Sequence, residues 1–160
     1  MATLKGNQIA LPPAETWSLL IDVAEWPKWM PRMKGAVESL AARDLKEGSR
    51  VEIVGPLGMK AFLIIERVEP PHTLAYRAEI RPFFQLLMFL FFSSYRAVST
   101  TWIIEPAGPN SKVTVTVAFD YSLLGLILGG WWMGFVLSKS SSGLIQKAFI
   151  KYARSSVPAS

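Results

Sequence analysis

Apolar and polar positions alternate most cleanly late in the chain. Val113, Val115, Val117, Phe119 and Tyr121 share one phase, and Lys112, Thr114, Thr116 and Asp120 share the other. That pattern predicts a strand with one dry and one wet face. Leu74, Tyr76, Ala78 and Ile80 repeat it against Arg77 and Glu79. Strand-like runs cover residues 4–12, 36–41, 50–54, 60–68, 73–80, 95–105 and 112–121 in all. Between them stand turn-forming clusters: Lys46-Glu47-Gly48, Gly55-Pro56-Leu57-Gly58, Glu69-Pro70-Pro71-His72 and Pro106-Ala107-Gly108-Pro109-Asn110. Strands joined by such short breaks form hairpins, so the sheet is expected to be antiparallel.

Two segments carry a helical period instead. Residues 14–23 place Trp17, Leu20 and Ile21 at helical spacing just after Pro12 and Pro13, which a helix start tolerates. Residues 25–33 add a short second piece interrupted by Pro27 and Pro31. From about Gly143 the period changes for the last time. Ile145, Ala148, Phe149 and Tyr152 form an apolar stripe, with Lys147, Lys151 and Arg154 off it. The expected fold is therefore α+β: a curved antiparallel sheet of about seven strands wrapped around a long C-terminal helix. Two short helices follow the first strand. At 160 residues it forms a single domain, 1–160.

Composition adds a surplus of apolar material, 51% against 18% charged. Part of it sits in two runs, 82–92 and 123–137, and no charge occurs between Arg81 and Arg96. As a helix, the second run would reach roughly 22 Å, short of the roughly 30 Å hydrocarbon core of a bilayer. Two readings stand for these runs: packing around the mouth of the long helix, or an apolar rim that touches a membrane or a protein partner. Trp131 and Trp132 suit a membrane interface. The opening residues, MATLKGNQIALPPAE, hold no apolar stretch of the signal-peptide kind, which points to a cytoplasmic location with peripheral membrane contact as an option. Net charge is +5, and it is uneven: all acidic groups lie at or before Asp120, whereas Lys139, Lys147, Lys151 and Arg154 follow it. Without a denser basic patch interleaved with aromatics, nucleic acid is not an expected partner.

Catalytic kits are sparse. One histidine and no cysteine leave no basis for a transition-metal site, so no metal and no cofactor is expected. His72 falls in a turn, where a polar structural residue suffices. What remains is acid–base chemistry by carboxylate, arginine or tyrosine in an apolar setting. Strict alternation over 60–68 sets Phe62, Ile64, Glu66 and Val68 on one face and Leu63, Ile65 and Arg67 on the other, so either Glu66 or Arg67 would point towards the cavity or its rim; the alternative is that these charges sit at strand ends, in water. Tyr95 and Arg96 pose the same choice. Tyr76 and Tyr121 lie in the apolar phases of their strands, where each hydroxyl needs a partner once buried. The catalytic candidates are accordingly Tyr76, Tyr121, Glu66 and Arg96.

The segments at 13–39 (PAETWSLLIDVAEWPKWMPRMKGAVES), 47–53 (EGSRVEI), 66–77 (ERVEPPHTLAYR), 100–106 (TTWIIEP) and 111–125 (SKVTVTVAFDYSLLG) resemble, in this order, the START-like superfamily of polyketide cyclases, dehydrases and lipid-transfer proteins. The resemblance implies the helix-grip fold and a cavity for a hydrophobic small molecule between sheet and helix. It names no particular reaction. Expected lining residues on the helices are Trp29, Met33, Trp132, Phe135, Ile145, Phe149 and Tyr152. Those on the strands are Phe62, Ile64, Tyr76, Tyr95, Trp102, Phe119 and Tyr121. Two functions fit: carriage or transfer of a polyketide, isoprenoid or lipid-like guest, or a cofactor-free and metal-free cyclase or dehydratase acting on a natural-product intermediate. The runs at 82–92 and 123–137 depart from the superfamily's expected pattern.

Overall fold

A computed structural model describes residues 2–3, 6–30, 45–54, 60–80, 95–121 and 130–156, with side chains over 6–30, 45–50, 62–79, 97–120 and 141–156. Five long strands make the sheet: β3 (Arg50–Val54), β4 (Lys60–Glu69), β5 (Thr73–Ile80), β6 (Tyr95–Ala107) and β7 (Asn110–Tyr121). They pair antiparallel, each with the next in sequence, as hairpin connections require. The expected first strand is present as two short pieces, β1 (Ala2–Thr3) and β2 (Asn7–Ile9), both along the free side of β7. Gly6 lies between them. A Cβ there would come within 2.7 Å of Lys112 and Thr114 side-chain atoms, so the close approach to β7 needs glycine. The strand expected at 36–41 and the turn expected at 55–58 lie outside the described residues.

Tight turns set the registers. Gly108 takes φ 66° in the two-residue connection between Ala107 and Asn110, and Gly48 takes φ 82° ahead of β3. His72 has the structural part expected of it. Its carbonyl accepts from the Ile104 amide at 2.7 Å, and Nδ1 lies 3.3 Å from the Ile104 carbonyl oxygen, pinning the β4–β5 turn to β6.

Helix α1 (Pro13–Ile21) starts on Pro13, whose missing N–H costs nothing at a first turn. A 3₁₀ turn (Val23–Glu25) leads into α2 (Trp26–Trp29). The C-terminal helix, α3, runs Gly130–Ser156, 27 residues, and begins well before the expected start near Gly143. Residues 130–137 are apolar on all sides, so no amphipathic period announced that first part. In its second half the buried positions are Ser142, Gln146, Phe149, Ile150 and Ala153. This stripe is turned from the expected one, since Ile145, Ala148 and Tyr152 are only half-buried.

The core lies between this stripe and one face of the sheet. That face carries Leu63 and Ile65 from β4, Leu74 and Tyr76 from β5, Trp102 and Ile104 from β6, and Val113, Val115 and Val117 from β7. Register pairs such as Ile65 with Tyr76, Tyr76 with Thr100, and Thr100 with Val117 confirm the shared side. The wet face is held by exposed ion pairs, Arg77 with Asp120 at 3.1 Å and Lys112 with Glu105 at 2.6 Å. No helix among the described residues is long and apolar enough to cross a membrane.

Candidate functional site

Between α2, α3 and the sheet lies an aromatic cluster. Trp29 is its hub, with ring centroids 5.8 Å from Trp102, 5.0 Å from Phe149, 6.4 Å from Tyr152 and 6.2 Å from Trp26. Trp102 and Phe149 meet edge to face at 5.2 Å, and Trp26 reaches Tyr76 at 5.3 Å. The sequence places these rings together for simple reasons. Trp102 and Tyr76 occupy the inward phase of neighbouring strands, Phe149 lies on the buried stripe of α3, and Pro27, in the first turn of the short α2, fits the helix start that turns Trp26 and Trp29 onto them. Five of the expected lining residues, Trp29, Tyr76, Trp102, Phe149 and Tyr152, are thus in one cluster. Phe119 and Ile145 pack half-buried against the same core.

Polar groups within this interior are few. The Trp26 indole donates to the Leu20 carbonyl at 2.7 Å. Gln146, 1% exposed, donates through Nε2 to the Val113 carbonyl at 2.6 Å and ties α3 to β7. Thr16 and Ser111 share a buried hydroxyl–hydroxyl bond of 2.7 Å that ties α1 to β7. Sequence reasoning missed Thr16, Ser111 and Gln146, because each lies far along the chain from its partner. Among the described residues, the buried indole N–H groups of Trp29 and Trp102 meet no acceptor in hydrogen-bond geometry. Burial pushes the Tyr76 phenol above its ordinary value. Trp102 and Thr100 partly offset this as neighbouring donors, although the Trp102 N–H does not reach hydrogen-bond geometry. At neutral pH the phenol is a proton donor held in an apolar wall.

Residues in β4 depart from expectation. Its pairing with β5 skips a position between Ile65 and Arg67, so a β-bulge falls at Glu66. Leu63, Ile65 and Val68 therefore share the inward side, and Glu66 and Arg67 are both exposed. Both charges lie in water, the second of the two expected placements, because the bulge breaks the alternation that would have turned one of them inward. Phe62 and Ile64, expected as lining, stand in register with Glu79 and Arg77 on the outer face, and the Arg50 guanidinium sits 3.9 Å over the Phe62 ring. Leu63 and Ile65 hold the inward places instead. In β6 the inward phase is Val98, Thr100, Trp102 and Ile104.

Tyr95 and Tyr121 are register partners, and a second irregularity follows at Arg96. The side chains of Tyr95, Arg96, Tyr121, Trp132 and Phe135 lie outside the described residues, as do Met33 and the run at 82–92. At the edge of the cluster Tyr152 donates to Glu25 Oε2 at 2.9 Å, and Lys28 donates to the same carboxylate at 2.6 Å. Among the described residues no group of three or more histidine, aspartate or glutamate side chains is arranged to hold a metal ion.

An open antiparallel sheet whose apolar face carries one long C-terminal helix defines an α+β protein of the START-like superfamily. The chain belongs to the family described as polyketide cyclase / dehydrase and lipid transport, whose sequence model matches residues 1–149. Solved structures agree on the fold. Ara h 8.0201 is 18% identical, with 96% of this chain and 98% of that chain covered and a TM-score of 0.64. A Mesorhizobium loti protein is 16% identical over 98% of this chain and 99% of its own, with a TM-score of 0.60. A Thermus thermophilus protein is 14% identical over 96% of this chain and 98% of its own, also with a TM-score of 0.60. No curated protein matches the sequence. At these identities the likeness concerns the fold alone.

Proposed function

We propose that the protein binds a hydrophobic small molecule, of polyketide, isoprenoid or lipid-like character, between the sheet and α3, for carriage or transfer. The observation that carries this reading is the inward wall itself. Trp29, Trp102, Phe149 and Tyr76 meet there, and among the described residues its only ionisable side chains are tyrosines. Such a wall binds by apolar burial, worth about 25 cal/mol per Å². It asks for few polar contacts, and the unpaired indole donors of Trp29 and Trp102 suit a guest with an acceptor oxygen. Family membership favours the same class of ligand. The protein as purified is expected to retain a guest that native mass spectrometry detects. Titration with a long-chain fatty acid or an isoprenoid alcohol should change the tryptophan fluorescence saturably. No bound mass and no spectral change with either probe would overturn the reading.

One observation favours a second reading, cyclisation or dehydration of a natural-product intermediate. A buried phenol that keeps its proton can steer a carbonyl in a water-poor site. Turnover of a polyketide thioester mimic would then fall sharply in Tyr76→Phe, and unchanged turnover removes the phenol from any mechanism. The apolar runs at 82–92 and 123–137 belong to the same proposal as a rim contacting a membrane. Flotation with anionic liposomes tests that part.

A further inference from the structure

Outside the aromatic interior, a groove of about 530 Å³ opens where β2 lies beside the second half of α3. Its walls are Asn7, Gln8, Lys147, Ile150, Lys151 and Arg154. Lys147, Lys151 and Arg154 follow at intervals of four and three residues, so they project from one exposed side of the helix. Elsewhere four cations meet carboxylates: Lys28 with Glu25, Arg67 with Glu69, Arg77 with Asp120 and Lys112 with Glu105. Among the described residues none of the three groove cations meets a carboxylate, and no acidic residue lines the groove. No aspartate or glutamate follows Asp120 in the sequence.

Three like charges on adjacent helical turns repel, a cost that an anion in the groove would reverse. The rest of the lining fits that role. Asn7 and Gln8 bring carboxamide N–H donors from β2, and Ile150, nearly buried, gives the groove an apolar floor. Cations and amide donors without a facing carboxylate suit a compact oxyanion with several acceptor oxygens.

We propose that this groove is a second ligand site, separate from the sheet–helix interior, that takes the phosphate group of an anionic ligand. That group can belong to a lipid headgroup or to a soluble phosphomonoester. Leu144 separates the two sources. It lies one turn before Lys147 and is 56% exposed, so a bilayer docked on the cations would bury it, whereas a soluble ligand would leave it idle.

The test uses the full chain and a Lys147→Gln/Lys151→Gln/Arg154→Gln variant. All three side chains are exposed, so the fold should persist, and circular dichroism checks that it does. Amide NMR titrations with glycerol 3-phosphate should perturb Asn7, Gln8 and the 147–154 turns together. The triple variant should bind about tenfold or more weakly, and added salt should weaken the wild type. In a parallel arm, phosphatidylcholine vesicles are compared with and without phosphatidic acid. Sedimentation that requires phosphatidic acid and is lost in both the triple variant and Leu144→Gln assigns the site to a lipid headgroup. Binding of glycerol 3-phosphate that ignores Leu144→Gln, with no sedimentation, assigns it to a soluble ligand. Shifts scattered over distant cations such as Lys46 and Arg67 would overturn the proposal. So would binding that survives the triple variant, or no binding in either arm.

Discussion

At the scale of single residues, the least replaceable contacts are buried polar ones. Among the described residues, the Thr16 and Ser111 hydroxyls partner each other, sealed between α1 and β7. Removing one hydroxyl leaves the other dry and unpaired, which costs about 1–3 kcal/mol, while removing both is nearly neutral. Thr16→Val and Ser111→Ala are each expected to lower the urea midpoint, and the double variant should be more stable than the sum of the single losses predicts. A strictly additive cycle would show that the hydroxyls do not depend on each other. Legibility at this scale followed local chemistry. Tyr76 and Phe119 could be read inward because polar residues alternate in their strands, whereas the phase of the strand that carries Trp102 stayed open, since Trp102-Ile103-Ile104 is apolar on both sides. In β4 the run Phe62-Leu63-Ile64-Ile65 is apolar on both sides, so nothing local separated the inward pair from the outward one. No glycine or proline marked the bulge at Glu66.

Among elements, the junction of the short helices with α3 is the contact most open to control by pH. Lys28 and the Tyr152 hydroxyl, in that order, hold the Glu25 carboxyl below its ordinary 4.5. A depressed acid contributes stability above its unfolded value and loses it as pH falls through the folded one. Burial, then the bond to Glu25, holds the Tyr152 phenol above its ordinary 10.0. Its contribution is complete below 10.0 and is lost as pH rises through the raised value. The stability difference between wild type and Tyr152→Phe should therefore be flat at intermediate pH. It should shrink below about 4.5 and again above about 10. Chemical denaturation across pH measures it, and a difference that is constant at both extremes would dissociate the bond from these titrations. The sequence announced the two ends of this junction, the paired tryptophans and the amphipathic end of α3, but not the bond between them. Nor did it announce the helix start at Gly130, since residues 130–137 show no polar face.

For the whole molecule, order of elements and sheet pairing were legible because hairpin turns leave chemical marks, such as Gly108 at positive φ between β6 and β7. The site was legible only as a wall. Burial alternation identifies which side chains meet; it carries no information on what they hold, because apolar binding needs no fixed kit of residues. The basic stripe of α3 showed the opposite limit. Its charges were plain in sequence, but the groove exists only because β2 returns to lie beside them.

The bulge in β4 has a consequence for how this chain tolerates changes in length. Past it, Arg67 pairs with Ala75 and Val68 with Leu74, so the strand resumes as though Glu66 had been skipped. Glu66 is, in this sense, a spare residue. Deleting it should leave an unbroken ladder with every inward side chain still inward, and a cooperative thermal transition should survive. Deleting Ile64 instead should turn Ile65 outward and drive a charge into the core, abolishing that transition. If both shortened chains unfold alike, the extra residue is needed for the bend it puts into the sheet. Insertions and deletions among relatives would then be barred from this strand altogether.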